Sequence, residues 1–150
     1  MAVELTIEEL REAKDVDLGA SDWIEITQER IDGFADATDD HQWIHVDPEK
    51  AEEGPFGTTI AHGYLTISLL PVMVTSIVNV TGVQMGVNYG IDRMRLTAPV
   101  KVGSRVRAKG RLVEAQDKGG GVLYKVAVEV EIDGEDRPAL VGEVLYLVYG

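Results

Sequence analysis

The 150-residue chain contains no cysteine. Disulfides, thiolate metal centres and a cysteine nucleophile are therefore excluded. Cations are in the minority, 14 Lys and Arg against 26 Asp and Glu. The resulting net charge of −12 argues against a phosphate backbone or an anionic membrane surface as partner. The longest apolar stretch, residues 65–80, is interrupted by Pro71 and by several Ser and Thr residues. It falls short of the roughly 20 apolar residues that a membrane-spanning helix needs. The opening segment MAVELTIEELREAKD lacks the basic start and apolar run of a signal peptide, so a cytoplasmic location is expected.

What is present is the composition of a globular protein, 45% apolar and 27% charged. No internal repeat or low-complexity linker divides it, so residues 1–150 are expected to form one domain. Thr27 can cap a helix beginning at Gln28, with Ile31, Phe34, Ala35 and Thr38 along one face. Asp47-Pro48 is a second helix start, and that helix should stop at Gly54-Pro55. A third helix is expected from His62-Gly63 through the apolar stretch, bent or broken at Pro71. Being apolar all round, it belongs in a core.

Beyond about residue 83 the period becomes two. Tyr124, Val126, Val128, Val130 and Ile132 share one face, and Val106, Ala108 and Leu112 alternate with Arg105, Arg107 and Arg111. Gly119-Gly120-Gly121 and Asp133-Gly134 supply turns. Residues 139–149 are apolar on both faces, which suits a strand covered on both sides or one beside a subunit contact. Helices first and antiparallel strands afterwards make an α+β domain, with one long apolar helix against the sheet.

Two segments hold residues suited to chemistry. In the first, Asp39 and Asp40 fall at the end of the helix from Gln28, where the dipole disfavours acids. His45 follows five residues later, about 140° away in a continuous helix. The two side chains meet only if the chain turns between them. Asp40 and His45 brought together can hold a water and move its protons. Solvated helix-end acids and a hydrogen-bonded core histidine are the other reading of the same residues. The second segment is GPFGTTIAHGYL, residues 54–65, where His62-Gly63 opens the buried helix. Free N–H groups there would favour negative charge, such as that on a polarised carbonyl oxygen. Taken by itself, the segment is better read as a tight turn with glycine for close packing.

A third feature is a run of cations with no acid between them after Arg93: Arg95, Lys101, Arg105, Arg107, Lys109 and Arg111. Read functionally, Arg93, Arg95, Arg105 and Arg107 would dock the phosphates of a nucleotide. Read structurally, they are a solvated strand face.

The segment from Phe34 to Pro48, with Asp40 and His45, followed by Phe56-Gly57 and His62-Gly63, resembles the signature of the MaoC-like hydratases. These are the (R)-specific enoyl-CoA hydratases, including the nodulation-protein-N-like branch. The resemblance implies a hot-dog fold, an antiparallel sheet wrapped around a long central helix. It implies a hydro-lyase that reversibly hydrates trans-2-enoyl-CoA, with Asp40 and His45 as catalytic residues and the Gly63 N–H as oxyanion donor. Coenzyme A would belong to the substrate, so no cofactor and no metal is expected, and a homodimer is. Gln42, Trp43, His62, Asn88 and Tyr89 join the four arginines as candidate substrate contacts. Gln42-Trp43 stands where the family commonly has Asn-Pro, and Pro71 where some relatives place a serine supporting the aspartate. A thioesterase, an acyl-carrier-protein dehydratase and a non-catalytic acyl-thioester-binding module are the alternatives.

Overall fold

The computed structural model describes residues 2–150. Strands precede the first long helix, where the sequence pattern suggested helices first. These elements are β1 (Val3–Thr6), α1 (Ile7–Glu12), β2 (Val16–Ala20) and β3 (Ile24–Glu25). None exceeds six residues, too few for a period to emerge from the residue pattern. The helices α2 (Gln28–Thr38), α3 (Trp43–Val46), α4 (Pro48–Glu52), α5 (Gly63–Ser68) and α6 (Leu70–Thr75) follow. The remaining strands are β4 (Val78–Thr81), β5 (Met85–Leu96), β6 (Arg105–Lys118), β7 (Gly121–Ile132) and β8 (Leu140–Tyr149).

The helix starts obey the capping rules. Thr27 Oγ1 accepts from the Arg30 N–H at 3.1 Å, and Asp47 Oδ1 accepts from the Lys50 N–H at 3.1 Å. Pro48 occupies the first turn of α4, where its missing N–H costs nothing. The apolar helix is interrupted at Leu69, two residues before Pro71, because proline can neither donate to the preceding turn nor fit behind it.

The main sheet has the order β2-β6-β7-β8-β5, antiparallel throughout, with β3 also paired to β6. β1 and β4 form a separate parallel pair. Gly119 and Gly120, with φ of 56° and 86°, make the two-residue turn of the β6–β7 hairpin, and Gly121 already pairs with Lys118. Leu65, Leu70, Met73, Val74 and Ile77 from the α5–α6 segment are buried against Val106, Ala108, Leu112, Val126 and Val130 of the sheet. Each such side chain contributes about 1.5–3 kcal/mol on burial. The α+β hot-dog arrangement expected from the resemblance is the one observed. β8 lies between β7 and β5, which accounts for its apolar residues on both faces. β5 is the edge strand at that end of the sheet, and β2 and β3 close the other.

Candidate active site

α2 ends at Asp39, which adopts the left-handed conformation with φ of 61°. That single residue reverses the chain. α3 then starts at Trp43 and carries His45 back toward the helix it left. Asp40, His45 and His62 each place a polar side-chain atom within 4.8 Å of the other two. His45 and His62 are buried, while the Asp40 side chain is exposed.

The hydrogen bonds fix both histidine tautomers. His45 Nδ1 lies 2.7 Å from the main-chain oxygen of Ile60, which can only accept. Nδ1 therefore carries the proton, and Nε2 is left for other partners. His62 Nε2 lies 2.9 Å from the Asp40 main-chain oxygen, so it is the donor on that ring. The two imidazoles stack, with centroids 3.9 Å apart and planes inclined by 22°. Phe34 packs against His62 at 4.9 Å.

Two residues without a local signal hold His45 in place. Gln28 Nε2 donates to the His45 main-chain oxygen at 2.7 Å, and the Thr59 hydroxyl donates to Gln28 Oε1 at 2.6 Å. The Ile60 carbonyl is aimed by its own pairing, Ile60 N–H to the Ile44 oxygen at 3.0 Å and the bridge to Lys101. Nothing in the residue pattern around Gln28 announces contacts 17 and 31 positions away. Asp40 is braced less firmly. Its Oδ1 accepts from the Gln42 N–H at 3.4 Å, and Pro71 supplies no hydroxyl for it.

His62 also precedes α5, yet its ring makes no cap bond to that helix. The Gly63 N–H is the first of the helix and has no carbonyl one turn back to meet. A Cβ on Gly63 would lie 2.2 Å from Leu96 Cδ1, the tip of an exposed side chain that would have to turn aside.

Other expected contacts are distributed unevenly. Gln42 is exposed and opens α3, with its main-chain oxygen accepting from the His45 N–H at 3.0 Å. Trp43 packs under the Lys50 ammonium and against Gly54, where a Cβ would meet its ring at 2.9 Å. Asn88 and Tyr89 line a cavity of about 380 Å³ between α5–α6 and β5–β8, with Ile67, Ser68, Pro71 and Tyr146. A second cavity of about 400 Å³ shares Pro71, Asn88 and Tyr146 and continues past Thr75 to Val78. Burial pushes the phenols of Tyr124 and Tyr146 upward, Tyr124 to about 12, so both line it uncharged. Arg105 and Arg107 are engaged elsewhere: Arg105 pairs with Asp133, Arg107 Nε donates to Glu131 at 2.6 Å, and Trp23 lies against both guanidinium groups.

Two histidines and a carboxylate have the composition of a metal set. Stacking works against it. An ion about 2.0–2.1 Å from each nitrogen must lie in both ring planes, and nearly parallel planes do not meet so close.

Residues 10–133 match the MaoC like domain. The 3-hydroxyacyl-thioester dehydratase Z of Mycobacterium tuberculosis is 50% identical over 139 residues, 92% of each chain. Nodulation protein N of Rhizobium leguminosarum bv. viciae is 47% identical over 148 residues, 97% of this chain and 92% of its own. The chain belongs to the MaoC-like family. It is an enzyme of the hydratase and dehydratase class. Among solved structures, the unliganded R-hydratase of Pseudomonas aeruginosa superimposes with a TM-score of 0.77 at 21% identity, covering 95% of this MaoC-like chain and 84% of its own. That likeness is one of fold. No helix among the described residues is long and apolar enough to cross a membrane.

Proposed function

We propose that this single-domain protein reversibly hydrates a trans-2-enoyl-CoA to the (R)-3-hydroxyacyl-CoA, with Asp40 and His45 as its acid–base pair. The observation that carries the reading is the convergence of Asp40 and His45 beside His62, the residue before Gly63, across two helix ends and an αL turn. Water bound between the carboxylate and His45 Nε2 gives its oxygen to C3 and one proton to the pair. The pair returns one proton to C2 on the same face, so the sum is the elements of water. Negative charge that gathers on the thioester oxygen meets the Gly63 N–H. Such a donor is worth about 2.7–4 kcal/mol in comparable sites. Acid, base and oxyanion donor all come from the chain, and coenzyme A enters as part of the substrate.

The two cavities support an acyl chain running along the central helix. Ile67 stands four residues beyond Gly63, about 6 Å along the axis of α5, and Thr75 lies beyond the break, at the end of α6. Arg93 and Arg95 support coenzyme A as the carrier: both are exposed and, among the described residues, in no ion pair. The location we propose is cytoplasmic.

The decisive assay is hydration of crotonyl-CoA by the parent, Asp40→Ala and His45→Ala, with free coenzyme A measured alongside. Both variants should keep the parental thermal midpoint and lose at least about 100-fold in kcat. Near-parental turnover by either variant sinks the assignment, and release of coenzyme A at the hydration rate would make the protein a thioesterase.

We further propose a homodimer joined along β5. Met85, Val87, Tyr89 and Ile91 are large apolar side chains left exposed on that free edge strand, and Tyr64 and Val72 are exposed on the helices beside it. Sedimentation of a 16.4 kDa species at micromolar concentration would exclude the dimer.

A further inference from the structure

We propose that His62 is a positioning residue of the acid–base centre, holding the Asp40 main chain through Nε2–H and the His45 ring by stacking. The inference rests on the reading of Asp40 and His45 given above. Three observations carry it. First, the bond from His62 Nε2 to the Asp40 oxygen, 2.9 Å, spans 22 positions. Among the described residues it is the only hydrogen bond joining residues 39–42 to a part of the chain more than ten positions away. Second, one face of the His62 ring covers His45 at 3.9 Å, limiting the tilt of a ring whose Nδ1 is already held by the Ile60 oxygen. Third, the Gly63 N–H follows in the next residue. One side chain thereby contacts both the main chain that carries the carboxylate and the imidazole, next in sequence to the oxyanion donor.

Stability does not account for a histidine here. His62 is 2% exposed, and its Nδ1 has no hydrogen-bond partner within the protein. An unmatched buried nitrogen weakens the fold, and a phenyl ring would fill the same space against Phe34 and His45 without it. The nitrogen that is matched is the one that reaches Asp40.

Glutamine and asparagine separate these roles. The glutamine amide nitrogen reaches the place of Nε2, whereas the asparagine nitrogen falls near Nδ1. His62→Gln should retain kcat for crotonyl-CoA within about tenfold. His62→Asn and His62→Phe should each lose about 100-fold, the size of effect that a displacement near 1 Å produces. KM should be unchanged in all three, and His62→Phe should melt no lower than the parent. Parental kcat in His62→Phe, or kcat falling in step with the thermal midpoint across the three, overturns the proposal. Asp40→Ala in the same assay keeps the two readings apart: if it retains turnover, the acid–base pair is wrong whatever His62 does. A readout independent of activity is the imidazole nitrogen NMR spectrum of the intact protein, which holds only three histidines. His62 should show the Nε2–H tautomer, and the His45 signals should shift when His62 becomes glutamine. A His62 Nδ1–H tautomer, or His45 signals indifferent to the change, overturns the positioning role.

Discussion

β5 and β6 both carry the cations that stood out in the sequence, and the structure treats them in opposite ways. On β6 the cations sit opposite acids. Arg107 pairs with Glu131 at 2.6 Å, Lys109 reaches the same carboxylate at 3.6 Å, and Arg111 pairs with Asp15 at 3.0 Å. With Trp23 against Arg105 and Arg107, this is a cross-strand charge ladder on the outer face of the sheet. On β5, Arg93 and Arg95 stand at an irregularity in the pairing with β8, and Arg93 holds a φ of 52°. Leu96, the next residue but two after Arg93, reaches Gly63. A left-handed backbone at Arg93 and two exposed cations outside any ion pair among the described residues add nothing to stability that the structure shows. One stretch of sequence therefore contains a structural face and a candidate docking face, and only the positions of the acids distinguish them.

The largest effect that would test this contrast is kinetic. Arg93→Glu with Arg95→Glu should raise KM for crotonyl-CoA about tenfold at low ionic strength and leave the pantetheine thioester unchanged. The difference should shrink in high salt. Arg105→Glu with Arg107→Glu should not change the ratio of the two substrates; if it does, the β6 ladder is part of the docking face after all.

A smaller effect concerns stability and pH. The Arg107 guanidinium, hydrogen-bonded to Glu131, holds that carboxyl below the usual carboxylate range, and burial opposes it only in part. A folded-state value below the unfolded one means the pair adds stability above the unfolded value. That stability is lost as pH falls through the folded one. Glu131→Gln should therefore lower stability by about 0.5–1 kcal/mol at pH 7, the range of a partly exposed pair. The deficit should close in acid. Thermal melts from pH 7 down to pH 3 check it, and a deficit that persists at pH 3 would assign the loss to packing.

Much of this was legible in the residues. Thr27, Asp47-Pro48 and His62-Gly63 mark helix starts because a cap or a proline acts on its own neighbours. The alternation in β6 and β7 is a direct consequence of one buried face. The short strands β1 to β3 were not legible, since their pairing with β4 and β6 is what makes them strands. Asp40 and His45 could be named from spacing and resemblance, whereas the αL turn at Asp39 that lets them meet could not. Gln28 and the Ile60 carbonyl, which orient His45, act across 17 and 15 positions and leave no trace nearby.

The sequence by itself determined the elements that depend on near neighbours: capped helices, alternating strands, two-residue turns and an apolar central helix interrupted ahead of Pro71. It also pointed to the family, through the resemblance carried by the segments that hold Asp40, His45 and His62-Gly63. Only the tertiary structure decided which cations are spent on acids, which ring nitrogen of each histidine is free, and that His62 faces Asp40 instead of capping its own helix. Those outcomes depend on hydrogen bonds and ion pairs between residues far apart in the chain. Such partners become neighbours only when the sheet closes around α5 and α6.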